Sequence, residues 1–166
     1  MGNYNTIIKN DVANGEGVCV SFWVQGCPHK CNGCFNPETW SFTGGQPYTE
    51  RTKWEIIEAI SDNGIQRNFS ILGGEPLADR NFEMTKDILR AVRTAYPHIK
   101  IFLWTGYSFK DISQNEDYFE ILKYVDVLID GKFIKSLKHL GLKWRGSTNQ
   151  KIWTKDKDGF WSENDG

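Results

Sequence analysis

Three cysteines, Cys27, Cys31 and Cys34, fall within eight residues of one another in the segment VQGCPHKCNGCFN. The C-x3-C-x2-C spacing lies among Gly, Pro and Asn, so the array belongs to a loop rather than to a helix or strand. Thiolates grouped so closely raise one another's pKa unless a cation neutralises them. A soft sulfur site of this kind selects zinc or an iron–sulfur cluster. Structural zinc takes four ligands, commonly as two paired elements. No second pair is present: Cys19 lies eight residues upstream of Cys27 in an apparent strand, and the histidines are His29, His98 and His139. A [4Fe–4S] cubane normally takes four Cys, so three would leave one iron open to an outside ligand. The array points to a three-thiolate cluster, with zinc completed by His29 or Cys19, or a thiol redox site, as alternatives. Cys19 itself reads as a buried free thiol. His29 is either hydrogen-bonded to a sulfur or an exposed turn residue.

The rest of the composition narrows the function classes. At 166 residues the chain is expected to form one domain over 1–166, with no linker, repeat or low-complexity tract. Lys plus Arg number 20 against 21 Asp plus Glu, a net charge of −1, which argues against nucleic acid or an anionic membrane surface as partner. No apolar run approaches membrane-spanning length. The opening residues MGNYNTIIKND lack the basic head and apolar core of a secretory signal, so a cytoplasmic location with reduced thiols is expected. Most of the seven Trp are expected in the core, while Trp153, Phe160 and Trp161 suggest a partner surface.

Apolar strands alternate with helix-length segments. VCVSFWV (18–24), FSIL (69–72), IKIFLW (99–104) and VDVLI (125–129) read as strands. Thr49 caps a helix over about 50–62 with Trp54, Ile57 and Ile60 on one face, and Asn63-Gly64 stops it. A second helix over about 80–95 spaces Met84, Ile88 and Val92 by four, and a polar segment at 109–123 has helical character. A hairpin is expected around Asp158-Gly159. Such alternation predicts βα units and a mainly parallel sheet. There are too few units for a closed eight-stranded barrel, so an α/β fold of open, partial (β/α) barrel form is expected, with an open side for a large substrate.

The unusual polar and Gly-rich signals all follow strands, where reactive groups of parallel sheets gather. They are the Cys loop, Gly73-Gly74-Glu75-Pro76, Thr105-Gly106-Tyr107 and Asp130-Gly131. Gly73-Gly74 bares the main chain to a ligand, Glu75 adds an acceptor and Pro76 stiffens the exit. Alone, that string is a tight strand-to-helix turn; beside a cluster lacking a ligand it fits an amino-acid-like group chelating the open iron. Thr105 or Asp130 is placed to bond a ribose hydroxyl, ordinary turn chemistry being the alternative. Arg145 is suited to pairing with a carboxylate, and Trp144 to walling a pocket, unless both belong to a solvated loop.

Together, Cys27-x3-Cys31-x2-Cys34 and Gly73-Gly74-Glu75-Pro76 resemble the radical S-adenosylmethionine (SAM) superfamily. GCPHKCNGCFN, DVLIDGKF and LKWRGSTNQ are similar to one branch, the activators of anaerobic ribonucleoside-triphosphate reductases. The likeness runs over about residues 10–153. It implies a [4Fe–4S] cluster on Cys27, Cys31 and Cys34, with SAM on the fourth iron. It also implies SAM contacts by Gly33, Gly73, Gly74, Glu75, Pro76, Thr105, Asp130 and Arg145. Many superfamily members carry an aromatic where Gly33 stands; here adenine contact there would be through backbone, with Phe35 following the last Cys. The implied partners are the reductase large subunit and a low-potential, flavodoxin-like electron donor. The implied reaction is reductive cleavage of SAM to methionine and a 5′-deoxyadenosyl radical, which takes hydrogen from a glycine Cα of the reductase. Other readings are a formate-lyase activase or deazapurine synthase type of radical SAM enzyme, and a non-catalytic zinc-binding interaction module.

Overall fold

The computed structural model describes residues 1–164. Strand β1 (Asn3–Asp11) runs antiparallel to β2 (Cys19–Val24), and the short β3 (Gln46–Pro47) pairs on the outer side of β1. Beyond β2 the sheet continues through β4 (Asn68–Gly73), β5 (Ile101–Trp104) and β6 (Val127–Asp130), each parallel to its neighbour. Strands β7 (Lys151–Lys155) and β8 (Trp161–Asn164) finish the far side as an antiparallel hairpin. The order β3-β1-β2-β4-β5-β6-β7-β8 leaves β3 and β8 as edges, so the sheet is open.

The architecture is α/β, but the expected mainly parallel sheet of barrel type is corrected to a mixed one. Three pairings are parallel and four are antiparallel. Loop length explains part of the division, since β6 and β7 pair antiparallel across the long 131–150 connection. A parallel pair needs a crossover of about a dozen residues or more, which the helical segments supply between β2, β4, β5 and β6. Residues 12–18 and 156–160 are too short for that, and so they make hairpins.

Helix α1 (Glu50–Ile60) begins where Thr49 and Thr52 form a reciprocal cap, each hydroxyl accepting the other's backbone N–H. Its buried stripe is Thr52, Ile56, Ala59 and Ile60. The expected Trp54 face is therefore corrected: Trp54 is 57% exposed. It stands two positions from Ile56, on roughly the opposite side at 3.6 residues per turn. Helix α2 (Asp79–Ala95) buries Met84, Ile88 and Val92 against the sheet, as their spacing of four predicts. The polar segment after β5 divides into α3 (Phe109–Ser113) and α4 (Glu116–Ile121), capped by Ser108 and Asn115.

The central strands are buried on both faces, with Phe22, Phe69, Ile71 and Leu103 on one and Phe102, Val127 and Ile129 on the other. Of the seven Trp, Trp104, Trp144, Trp153 and Trp161 pack half-buried against the core as expected, none is fully buried, and Trp54 is exposed. Trp153 stacks on Phe109 with ring centres 4.4 Å apart and Trp161 packs beside them, so of the suggested C-terminal partner surface only Phe160 stands out, 72% exposed. Cys19 is buried and free, and burial pushes its thiol up. Among the described residues no helix is long and apolar enough to cross a membrane. Ile88→Ala should lower unfolding free energy by about 2–5 kcal/mol in urea denaturation, and Trp54→Ala by less than about 1 kcal/mol.

Candidate metal centre and cofactor pocket

The carboxyl ends of β2, β4, β5 and β6 open onto a cavity of about 410 Å3. Cys27, Cys31 and Cys34 all line it, together with Gly73 and Gly74 beyond β4 and Thr105 and Gly106 beyond β5. The loop after β2 is held in place by its own backbone. Gly26 N–H donates to Thr39 O at 2.6 Å, Cys27 N–H to Trp40 O at 3.0 Å, and Cys34 N–H turns back to Cys31 O at 3.0 Å. Lys30 and Gly33 take left-handed conformations, φ 46° and 75°, which reverse the chain between one cysteine and the next.

The sulfurs face backbone donors. Asn36 N–H donates to Cys34 Sγ at 3.3 Å, and the backbone N–H groups of His29 and Lys30 act on the Cys27 thiol. Burial pushes the Cys27 thiol up while those two N–H groups pull it the other way. Backbone donors aimed at sulfur stabilise thiolates and set the potential of iron–sulfur sites. Among the described residues no three His, Cys, Asp or Glu side chains stand as a ready-formed metal cage. What the three thiols share is one cavity and this lining of donors, a soft set that fits an iron–sulfur cluster. Neither candidate fourth zinc ligand is at hand: Cys19 begins β2, whose other end carries the loop, and His29 is committed elsewhere.

Gly73 and Gly74 are demanded by packing as well as by access. A Cβ on Gly73, at φ 106°, would stand 2.9 Å from Val24 N and O; one on Gly74 would stand 2.4 Å from Gly26 O. Behind them Asn81, on the first turn of α2 and only 1% exposed, donates from Nδ2 to Gln25 O, Gly26 O and Glu75 O at 3.0–3.2 Å. Asn81 carries no motif that would mark it in the sequence; its only signal is a polar residue on the apolar side of a helix.

The Glu75 carboxylate, 1% exposed, is saturated. Oε1 accepts from His29 Nε2–H at 2.7 Å and Gly106 N–H at 2.6 Å; Oε2 accepts from Thr105 Oγ1–H at 2.8 Å and Leu77 N–H at 2.9 Å. The His29 side chain thus neither bonds a sulfur nor stands exposed in a turn. The Thr105 hydroxyl also accepts Tyr107 N–H at 3.1 Å. Burial and the nearby Glu75 push the Tyr107 phenol up to about 12.

The remaining candidates are spread out. Arg145 lines the cavity, its Nε donating to Lys143 O at 3.2 Å, and Trp144 beside it holds a left-handed φ of 58°. Asp130 does not line the cavity: its carboxylate accepts Phe109 N–H at 2.7 Å and Lys151 N–H at 3.1 Å, tying β6 to its neighbours. Pro76 is buried, its carbonyl accepting from Thr85 Oγ1 at 2.7 Å, and Gly33 lies exposed beside Lys135 and Phe133. Phe35 reaches the cavity but is 56% exposed. Trp23 and Trp104, which line it too, gave no signal beyond strand composition, and Trp104 Nε1–H is bonded to Trp144 O at 2.9 Å. Thr105→Val, which keeps shape but removes the donor to Glu75, should cost about 1–3 kcal/mol in chemical denaturation, and Thr105→Ser much less.

The comparisons with known proteins agree with this chemistry. A family model described as a 4Fe-4S single cluster domain matches residues 13–153. An anaerobic ribonucleoside-triphosphate reductase-activating protein of Enterobacteria phage T4 is 43% identical over 159 residues, 96% of this chain and 97% of that protein. Proteins of the same name from Vibrio cholerae serotype O1 and Escherichia coli K12 are 39% and 36% identical. Each alignment covers 90% of this chain, and 96% and 97% of those relatives. The chain belongs to the family of anaerobic ribonucleoside-triphosphate reductase-activating proteins.

Proposed function

We propose that this protein is a radical SAM activase that installs a glycyl radical on an anaerobic ribonucleotide reductase. The reading rests above all on one observation: three cysteine thiols and the bare backbone of Gly73-Gly74 line the same cavity at the strand ends. Cys27, Cys31 and Cys34 hold a [4Fe–4S] cluster, and the missing fourth thiolate leaves a place for SAM. A reduced cluster held by these thiols would supply one electron to the SAM sulfonium, releasing methionine from C5′ and leaving that carbon able to accept a hydrogen atom from a glycine Cα.

The protein's own part is to bind, orient and exclude water. Gly73 and Gly74 let the amino-acid end of SAM approach the main chain. Arg145 supplies a cation for its carboxylate. Trp23, Trp104 and Trp144 give the cavity an aromatic wall that keeps water from a reactive radical. Thr105 and Glu75 already spend their polar atoms on one another and on the loops, so their contribution is to hold the pocket's shape. Asp130 and Pro76 act at one remove, through the elements that they fix, and Gly33 contributes backbone at the outer turn of the Cys loop. The open sheet leaves room for a loop of the reductase large subunit to reach in. The electron comes from a low-potential, flavodoxin-like donor.

Anaerobically reconstituted protein, mixed with reductase, SAM and reductant, should give the doublet of a glycyl radical in electron paramagnetic resonance. Cys31→Ala should reduce both bound iron and SAM cleavage to background. Wild-type cleavage by Cys31→Ala, or a radical on a formate lyase in place of the reductase, would contradict the assignment.

A further inference from the structure

We infer that His29 and Glu75 form a positioning clamp that holds the cysteine loop in register with the sheet, and that the Glu75 carboxylate does not itself touch the cofactor. The inference rests on the reading that Cys27, Cys31 and Cys34 hold the cluster. Between Cys27 and Cys31 the neighbouring Pro28 and Lys30 are exposed, while the His29 side chain is only 6% exposed. Its imidazole donates from Nε2 to Glu75 Oε1 at 2.7 Å and meets the Tyr107 ring edge-on, 4.8 Å between centres at 75°.

Glu75 then gathers donors from three separate places: the cysteine loop, the entry to α2 and the end of β5. A carboxylate offers about four acceptor positions, and all are used. An incoming amino group would have to break one of these bonds. The same four bonds make Glu75 a junction at which movement of one loop is resisted by the other two.

The consequence reaches the sulfur through the main chain. His29 sits two residues from Cys27 and two from Cys31, so anchoring its imidazole fixes the stretch of main chain that joins the first two cluster ligands. Gly106 is shaped to the ring: a Cβ there would stand 2.5 Å from His29 Cδ2 and 2.6 Å from Nε2. Gly106 has no left-handed φ, so what the position requires of glycine is space for the imidazole.

Hydrogen exchange of the apo protein tests the clamp without any cluster. His29→Leu fills the site but donates nothing, and should speed exchange over residues 27–34 about tenfold; His29→Gln, which can still donate, should stay within about threefold of the parent. Gly106→Ala, which pushes on the ring and leaves every other partner in place, should follow His29→Leu. In reconstituted protein the Leu and Ala variants should lose iron to a chelator about tenfold faster and show an altered resonance signal of the reduced cluster, with Gln close to the parent. If His29→Leu matches the parent in exchange and cluster signal, filling space suffices and the clamp is overturned. If Gln is as impaired as Leu, the donated bond is not the cause and the clamp is again overturned. A parent that binds no iron, with the exchange differences intact, would overturn the functional reading and leave the clamp standing.

Discussion

The buried carboxylate of Glu75 is the interaction on which the site depends. A charge with 1% exposure is tolerable only when hydrogen bonds replace the water it has lost. Here the replacements are His29, Leu77, Thr105 and Gly106. The bonds that make burial possible also draw together loops following three different strands. Removing the acceptor would strand four donors in a dry interior, so the loops and the carboxylate are stable only as a set.

Close packing does the remainder. Gly73 and Gly74 let β4 leave the sheet against the exit of β2, with no room for a side chain on either residue. Asn81 closes the arrangement from behind with bonds to three carbonyls of the same two loops. The parallel strands therefore aim their carboxyl ends at one cavity, while the antiparallel flanks widen the sheet without closing it. A rigid floor of strand ends and an open mouth suit a cofactor held firmly for a substrate as large as a protein loop.

The sequence made some of this legible and hid the rest for physical reasons. Cys27, Cys31, Cys34 and Gly73-Gly74 are visible because their chemistry requires particular residue types at short spacing. The strands of the parallel core are visible because both their faces are buried. The mixed sheet was not, since β1, reading NYNTIIKND and mostly exposed or half-buried, shows little alternation. Trp54 misled because an aromatic residue on a helix suggests the core, yet the buried stripe runs through Thr52 and Ile56. Thr105 and Asp130 were correctly seen to end strands, but which polar atoms are already spent depends on partners far away in sequence. Glu75 meets Gly106 across 31 positions and His29 across 46. Local pattern cannot report such pairs, and it is these that distinguish an acceptor waiting for ligand from one that holds the scaffold.

If three cysteines leave one iron of a cubane open to SAM, that iron must change its coordination when SAM binds. Mössbauer spectroscopy of protein reconstituted with iron-57, recorded with and without SAM, tests it most directly. Cubane iron is expected in the cysteine-ligated protein, with roughly one quarter of the iron shifting to a higher-coordinate signature when SAM is added. A spectrum that SAM leaves unchanged, or protein that takes up zinc and no cubane iron, would contradict it.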